Sequence, residues 1–294
     1  ARILQHLGHR VDISEESDGN GADMMIAVHA WRSATSIRAF SKHSPDKPLV
    51  VLLAGTDIYH FQHSHPDDTL ESMDRATQLV CLHDLVHRAI PQKFGKKLRV
   101  IHQSSPPLTT PRRPSKRWFE VCVAGHLRAE KDSLRTAYAA QLAPTDSHLR
   151  VVHLGKAHDE TWARDIRAEV AGNPRFIWRG EVPGWQVRRQ FARSHAMVIS
   201  SVMEGGANIV SEAIVCGVPV IASHIDGNIG LLGTDYEGYY PAQDETALAA
   251  LLQRAENEPA FLKSLARQCR AKKPLFTEAK EKSAWKALLK DMGV

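Results

Sequence analysis

The sequence predicts an α/β protein made of two doubly wound, Rossmann-like lobes in tandem. Three observations point there: a length of 294 residues, which accommodates two domains of roughly 100 to 150 residues; two series of short apolar runs spaced by helix-length segments; and a proline-rich stretch that separates the two series. Short buried strands alternating with helical segments are the pattern of a parallel sheet covered on both faces.

The first series is Met24 to Val28, Leu49 to Leu53, Leu79 to Leu82 and Val100-Ile101. Ahead of it, Ala1 to Asp12 reads as the second half of a helix, a stop at Gly8 and then a strand, with no signal peptide in front. A first strand is therefore expected to be missing, the N-terminus being truncated. Pro106, Pro107, Pro111 and Pro114 stand among Ser, Thr and Arg between Gln103 and Trp118, a composition that resists regular structure and suits a linker. The domains expected are 1–110 and 111–273. The second series runs Phe119 to Ala124, Val151 to Leu154, Phe176 to Trp178, Met197 to Ser200 and Val218 to Ala222. From 274 to 294 the chain reads as a helix with Ala279, Trp285, Leu288 and Leu289 on one apolar stripe, expected to lean back on the first lobe.

Composition narrows the class. Hydrophobic residues make up 43% and charged residues 24%, ordinary for a globular chain, and no apolar run approaches the roughly 18 to 20 residues that span a bilayer. The four cysteines are scattered without a Cys-x-x-Cys pair, which predicts reduced thiols in a cytoplasmic protein and no structural metal. A net charge of +5 favours anionic ligands, but the basic pairs are dispersed and lack aromatic platforms between them, which argues against nucleic acid. Pro66-Asp67-Asp68 reads as a helix start rather than a metal motif, so activity is expected without an obligatory divalent ion.

In open α/β sheets ligands bind beyond the carboxyl ends of the strands, so the residues after each strand hold the candidate chemistry. The most informative of these segments runs from Ser200 to Ser223 and reads strand, glycine loop, helix, Gly217 stop, strand. Gly205 and Gly206 let the backbone approach a ligand, and the helix behind them offers unpaired N–H groups and a positive dipole end to an anion such as a diphosphate. Asn208 is expected to cap that helix. Glu204 at the loop mouth and Glu212 two turns along are spaced for one carboxylate to grip the sugar hydroxyls and the other the ribose hydroxyls of one nucleotide sugar.

This segment resembles the Glu-x7-Glu signature of family 4 glycosyltransferases of the GT-B fold, in a variant reading Glu-Gly-x-x-Asn before the second Glu. The resemblance implies two Rossmann-like domains facing a central cleft and a donor site in which Glu204 meets the sugar, the amides from Gly205 and Gly206 through Ala207 to Asn208 the sugar and phosphates, and Glu212 the ribose. Gly125 to Lys131 is similar to the family's Gly-Arg-Leu-x-x-x-Lys, which puts Lys131 on the diphosphate. His126 occupies the family's Arg position and Arg128 lies two residues on, so one or the other supplies the second cation. Phe176 to Pro183 resembles the strand and turn that hold the nucleobase, through backbone groups near Arg179 and Gly180; uracil is the family's commonest base.

Two strand ends of the first lobe complete the set of candidates. After the first of them Arg32 could fork onto an anionic acceptor and His29 could stabilise developing charge or be a satisfied structural histidine. After the second, Thr56 could hydrogen-bond the acceptor, while Asp57 caps the following turn. With Gly125 to Lys131, Glu204 to Asn208 and Gly227 to Gly233, these strand-end segments make the chain similar, over nearly its whole length, to the selenosugar synthase family of bacterial selenoneine biosynthesis. That resemblance implies transfer of the sugar of a UDP-sugar such as UDP-N-acetylglucosamine to selenophosphate, with UDP released. The segment 226–233 replaces the usual family 4 loop and is expected either to adjust specificity or to be a plain flexible turn.

Overall fold

The computed structural model describes residues 1–294. Contacts divide them into two compact units, the first comprising Ala1–Ser104, Glu204–Gly206 and Leu275–Val294, the second Ser105–Met203 and Ala207–Pro274.

The chain runs through α1 (Arg2–His6), β1 (Met25–Val28), α2 (Ala34–His43), β2 (Leu49–Leu52), α3 (Gln62–Ser64), α4 (Pro66–Arg75), β3 (Gln78–Cys81) and β4 (Leu98–Val100). It continues through β5 (Phe119–Ala124), α5 (Arg135–Gln141), β6 (Leu149–Leu154), α6 (Glu160–Gly172), β7 (Phe176–Trp178), α7 (Gly184–Arg193) and β8 (Ala196–Ile199). Then come α8 (Asn208–Val215), β9 (Val220–Ser223), α9 (Asp226–Leu232), β10 (Tyr239–Tyr240), α10 (Glu245–Asn257), α11 (Pro259–Lys272) and α12 (Glu278–Asp291).

The first unit is a parallel sheet in the order β1-β2-β3-β4, with Met25 opposite Leu49, Val50 opposite Gln78 and Leu79 opposite Leu98. Side chains alternate across a strand, so each run feeds two cores. Val51 and Leu79 join Ile37, Phe40, Met73 and Phe94 on one face, while Val50 and Val80 join Ile101, Trp285 and Leu288 on the other. The second core is closed by α12, and Glu281 also accepts the Ser104 backbone N–H at 2.7 Å. The buried stripe of α12 is Trp285, Leu288 and Leu289; Ala279, expected on it, lies six residues before Trp285, off that face, and is exposed.

No strand follows Gly8. Gly8 does end α1 with a left-handed φ of 97°, but the next strand is β1, which is an edge of its sheet. Between them only Val11 and Ile13 are large and apolar before Met24, and Ile13 is 81% exposed among Asp12, Glu15 and Glu16, too little apolar surface to hold a strand on a core.

The second unit has six parallel strands in the order β10-β9-β8-β5-β6-β7. From β5 the chain winds outward through β6 and β7, then returns to the other side of β5 with β8. The order therefore reverses between β5 and β8, and a crevice at such a switch point is where doubly wound sheets take their ligands. Helix α8 buries Val210, Ala213 and Ile214 at helical spacing and is stopped at Gly217, whose φ is 74°. Residues 226–233 are not a flexible turn: Asp226–Leu232 is helical, and the fully buried Asn228 donates its amide to the Ser223 carbonyl at 2.9 Å.

Residues 101–118 contain no helix or strand; the first four stay with the first unit, and those from Ser105 on are tied to the second. The Arg112 guanidinium donates to the Gly217 carbonyl at 2.5 Å and to that of Ser194, and its burial lowers its pKa. Arg113 and Ser115 add backbone bonds to Ala192 and Arg193. No helix is long and apolar enough to cross a membrane.

Candidate functional site

At the carboxyl ends of β5, β6 and β7 three loops are laced together by their backbones. Gly125 N–H donates to Leu154, Leu127 N–H to Lys156, and Gly155 N–H to Gly180 at 2.7 Å. Gly155, at φ 151°, presses on the Gly125 carbonyl so closely that a Cβ would collide with it. Beneath them His153 donates from Nε2 to the same carbonyl at 3.0 Å, and burial pushes this histidine down to about 4, so it stays a neutral strut. The lacing leaves His126, Arg128 and Arg179 exposed above it. His126 accepts the Lys156 N–H at its Nδ1 and brings Nε2 to 4.0 Å from Glu181. Gly180 takes a left-handed φ of 67°, and Arg179 N–H is already used by His153 O at 2.9 Å.

Lys131 is held from below. Ala129–Lys131 form one 3-10 turn that ends at Asp132, a non-glycine residue at φ 43°. The hydroxyl of Ser200, just past β8, lies 3.0 Å from the Lys131 carbonyl and 2.9 Å from that of Asp132, and Val202 N–H donates to Glu130 at 2.9 Å. Arg135 clasps both oxygens of Asp132 and reaches Glu245. The loops after β5 and β8, which flank the switch point, are thus joined.

The β8–α8 loop carries the paired carboxylates. Glu204 is buried, 8% exposed, and falls with Gly205 and Gly206 in the first unit, whereas Ala207, Asn208 and Glu212 belong to the second. Ala207, not Asn208, is the N-cap of α8. Asn208 is the first helical residue, and its amide reaches forward along the helix to Glu212 at 2.8 Å, so the capping position lacks a side-chain acceptor. Burial raises the pKa of Glu212, against which the Arg188 charge and the Asn208 bond act.

In the first unit, His29 and Thr56 meet: Nε2 and Oγ1 are 2.9 Å apart. Asp57 is fully buried and does not cap its own turn; its carboxylate accepts N–H bonds from Ala30 at 2.8 Å, Trp31 at 3.1 Å and Ala54 at 3.0 Å. Arg32 is exposed and makes no ion pair or hydrogen bond. Gly55 and Gly205 lie backbone to backbone, a Cβ on Gly55 falling 2.5 Å from the Gly205 nitrogen.

No group of three or more His, Cys, Asp or Glu is gathered in metal-binding array, and the four cysteines are free and buried, burial pushing the Cys216 thiol up to about 11.

Residues 112–273, more than half of the chain, match the family of glycosyl transferases group 1. The chain belongs to this family. Its whole fold is that of GT-B glycosyltransferases. HepE of Anabaena, solved in complex with UDP, superposes with a TM-score of 0.76 over 92% of this chain and 79% of that one, at 15% identity. The same protein solved with UDP-glucose gives 0.75 over the same shares, also at 15% identity. Sucrose-phosphate synthase from Thermosynechococcus elongatus gives 0.74 over 92% of this chain and 73% of that one, at 17% identity. At such identities the likeness is one of fold.

The roles of three residues of this group 1 glycosyltransferase escape a reading of the sequence. Arg188 of α7 acts on Glu212, Ser200 supports Lys131, and Asp57 binds two strand ends. Only Ser200 carried a signal, as the residue that directly follows a strand at the switch point.

Proposed function

We propose that this glycosyltransferase transfers the sugar of a UDP-sugar, UDP-N-acetylglucosamine or a close relative, to selenophosphate, forming a selenium–carbon bond at the anomeric carbon and releasing UDP. The observation that carries the donor half is the placement of Lys131 and of helix α8 on the two loops flanking the switch point of the second sheet. The UDP-bound and UDP-glucose-bound relatives of the same fold support the choice of nucleotide.

Breaking the anomeric C–O bond builds negative charge on the diphosphate. Lys131, a second cation from Arg128 or His126, and the free amides at the start of α8 would meet that charge without reorganising. Glu212 would accept ribose hydroxyls, Glu204 the hydroxyls of the sugar, and the turn at Arg179 and Gly180 the base. With charge supplied by side chains and a helix end, activity should persist in a chelator.

Selenophosphate rests on the similarity of the segments His29 to Ala34, Gly55 to Tyr59 and Gly227 to Gly233 to selenosugar synthases. Arg32, an exposed cation without a partner on the first unit, suits an anionic acceptor. The test is mass spectrometry of anaerobic reactions holding UDP-N-acetylglucosamine with selenophosphate, with other acceptors or with none. A selenosugar with equimolar UDP is the expected product. UDP released only with another acceptor would overturn selenophosphate and keep the transferase, and UDP-sugar binding without turnover would make the chain a sensor.

A further inference from the structure

Lys131 sits in a turn of the second unit that is too short to hold itself. Ala129–Lys131 is a single 3-10 turn, closed by the Lys131 N–H on the Arg128 carbonyl and the Asp132 N–H on the Ala129 carbonyl, both at 3.1 Å. Asp132 then turns the chain with φ 43° and ψ 52°, left-handed values that glycine adopts freely and that aspartate visits when its short side chain finds a bond nearby. Its carboxylate does not cap α5, whose N-cap is Leu134. It is gripped instead by the planar fork of Arg135, Nε donating to one oxygen at 2.8 Å and Nη2 to the other at 3.2 Å. The third nitrogen of the fork, Nη1, donates to Glu245 in the first turn of α10.

The side chains of Asp132 and Arg135 are only 14% and 16% exposed, so the pair is shielded from the solvent that weakens surface ion pairs. A two-pronged arginine–carboxylate contact fixes direction as well as distance. On the other side of the turn the Ser200 hydroxyl lies between the Lys131 and Asp132 carbonyls. With two carboxylates on one guanidinium, the Arg135 charge is matched within the cluster.

We infer that Asp132 is a positioning residue for the donor diphosphate: the Arg135 fork, anchored on α10 through Glu245, holds Asp132 left-handed and so fixes the turn from which Lys131 meets the phosphates. Arg135 is the brace and not a further phosphate cation. The role toward the diphosphate rests on the proposed transferase reading, whereas the bracing of the turn rests on the geometry of the second unit alone.

Asp132→Gly isolates the brace, because glycine keeps the left-handed turn and removes only the grip. Hydrogen exchange, followed by mass spectrometry on the peptide spanning 128–135 in the full chain, is expected to quicken about tenfold in that variant. Unchanged exchange overturns the inference, whether or not a nucleotide binds. Calorimetric titrations then compare UDP with uridine, which lacks the diphosphate. The Kd for UDP is expected to rise at least about fivefold and that for uridine to change less than about twofold. Arg135→Lys, which keeps the charge and loses the fork, is expected to show the same selective loss and decides the matter if Asp132→Gly does not fold. Equal losses for UDP and uridine would mean a general disturbance of the second unit and overturn the inference, as would unchanged UDP affinity. Tighter UDP binding by Asp132→Gly would show that Asp132 masks a phosphate cation in Arg135 and overturn it too. Absence of UDP binding by the unmutated chain would instead sink the transferase reading and leave the exchange rates to decide the brace.

Discussion

On the proposed reading Lys131 meets the diphosphate and Glu204 the sugar, so each should be felt in the transition state more than in substrate binding. Lys131→Ala and Glu204→Ala are each expected to lower kcat/KM at least tenfold, a loss of about 1.4 kcal/mol or more of transition-state stabilisation, measured by UDP release. Near-native kinetics in both would remove them from the donor site. Glu212 gives a prediction about pH. Burial holds its pKa above the ordinary carboxylate value, and only the ionised form accepts hydrogen bonds from ribose hydroxyls without donating its own. UDP affinity should therefore be full above that pKa and fall as pH drops through it. Arg188→Gln removes a charge that lowers the pKa, so the fall should begin at higher pH, seen by calorimetric titration from about pH 5 to 8. The two glutamates were legible in the sequence because strand, glycine loop and helix surround them locally. Asp57 was not: it precedes a turn, as caps do, but its partners come from Ala30, Trp31 and Ala54, and only the fold brings the first two to it.

At the scale of elements, legibility followed the length of the apolar run. Val51 and Leu79, or Val121 and Val151, sit in runs long enough to read as buried strands. Tyr239-Tyr240 is a two-residue edge strand, too short for any periodicity to register, and α9 has Gly227 and Gly230 where a helix former would announce it. The strand expected after Gly8 shows the converse error, an alternation of two apolar residues without enough area to bury. Loop lacing was also invisible, since Gly125, Gly155 and Gly180 are each ordinary turn glycines in sequence and only the sheet sets them side by side. Gly155→Ala tests that lacing. Its φ of 151° strains a Cβ, and the Cβ would meet the Gly125 carbonyl, which must move, displacing the turn that leads to Lys131. The expected cost is at least about 2 kcal/mol in denaturant unfolding, the sum of a strained backbone and an overpacked contact. UDP should bind more weakly even where the protein is fully folded.

For the molecule as a whole, the two parallel sheets were written in the two series of strands, but what covers each face was not. The stripe of Trp285, Leu288 and Leu289 on α12 says that one face is buried and is silent on its partner. That partner is the face of the first sheet bearing Val50 and Val80, more than two hundred residues earlier in the chain, with Ile101 and the N-terminal Ile3, Leu4 and Leu7 beside it. The opposite face has its own local helices, α2 and α4, so the first unit can build half of its core as it emerges and must wait for α12 to build the other half. A parallel sheet with one face open exposes an apolar surface that favours association over folding. Trp285→Ala removes the largest side chain of that second core, where it is only 8% exposed. Large-to-small changes of this kind cost about 3 to 5 kcal/mol. Because the second unit has a separate core, the loss should appear as an earlier melting step with a later step left in place, rather than as one displaced transition. Calorimetry with and without UDP checks this: if the donor loops after β5 and β8 belong to the second unit's stability, UDP should raise the later step in the unmutated chain and in Trp285→Ala alike. A single cooperative transition shifted as a whole would mean instead that the two units unfold as one.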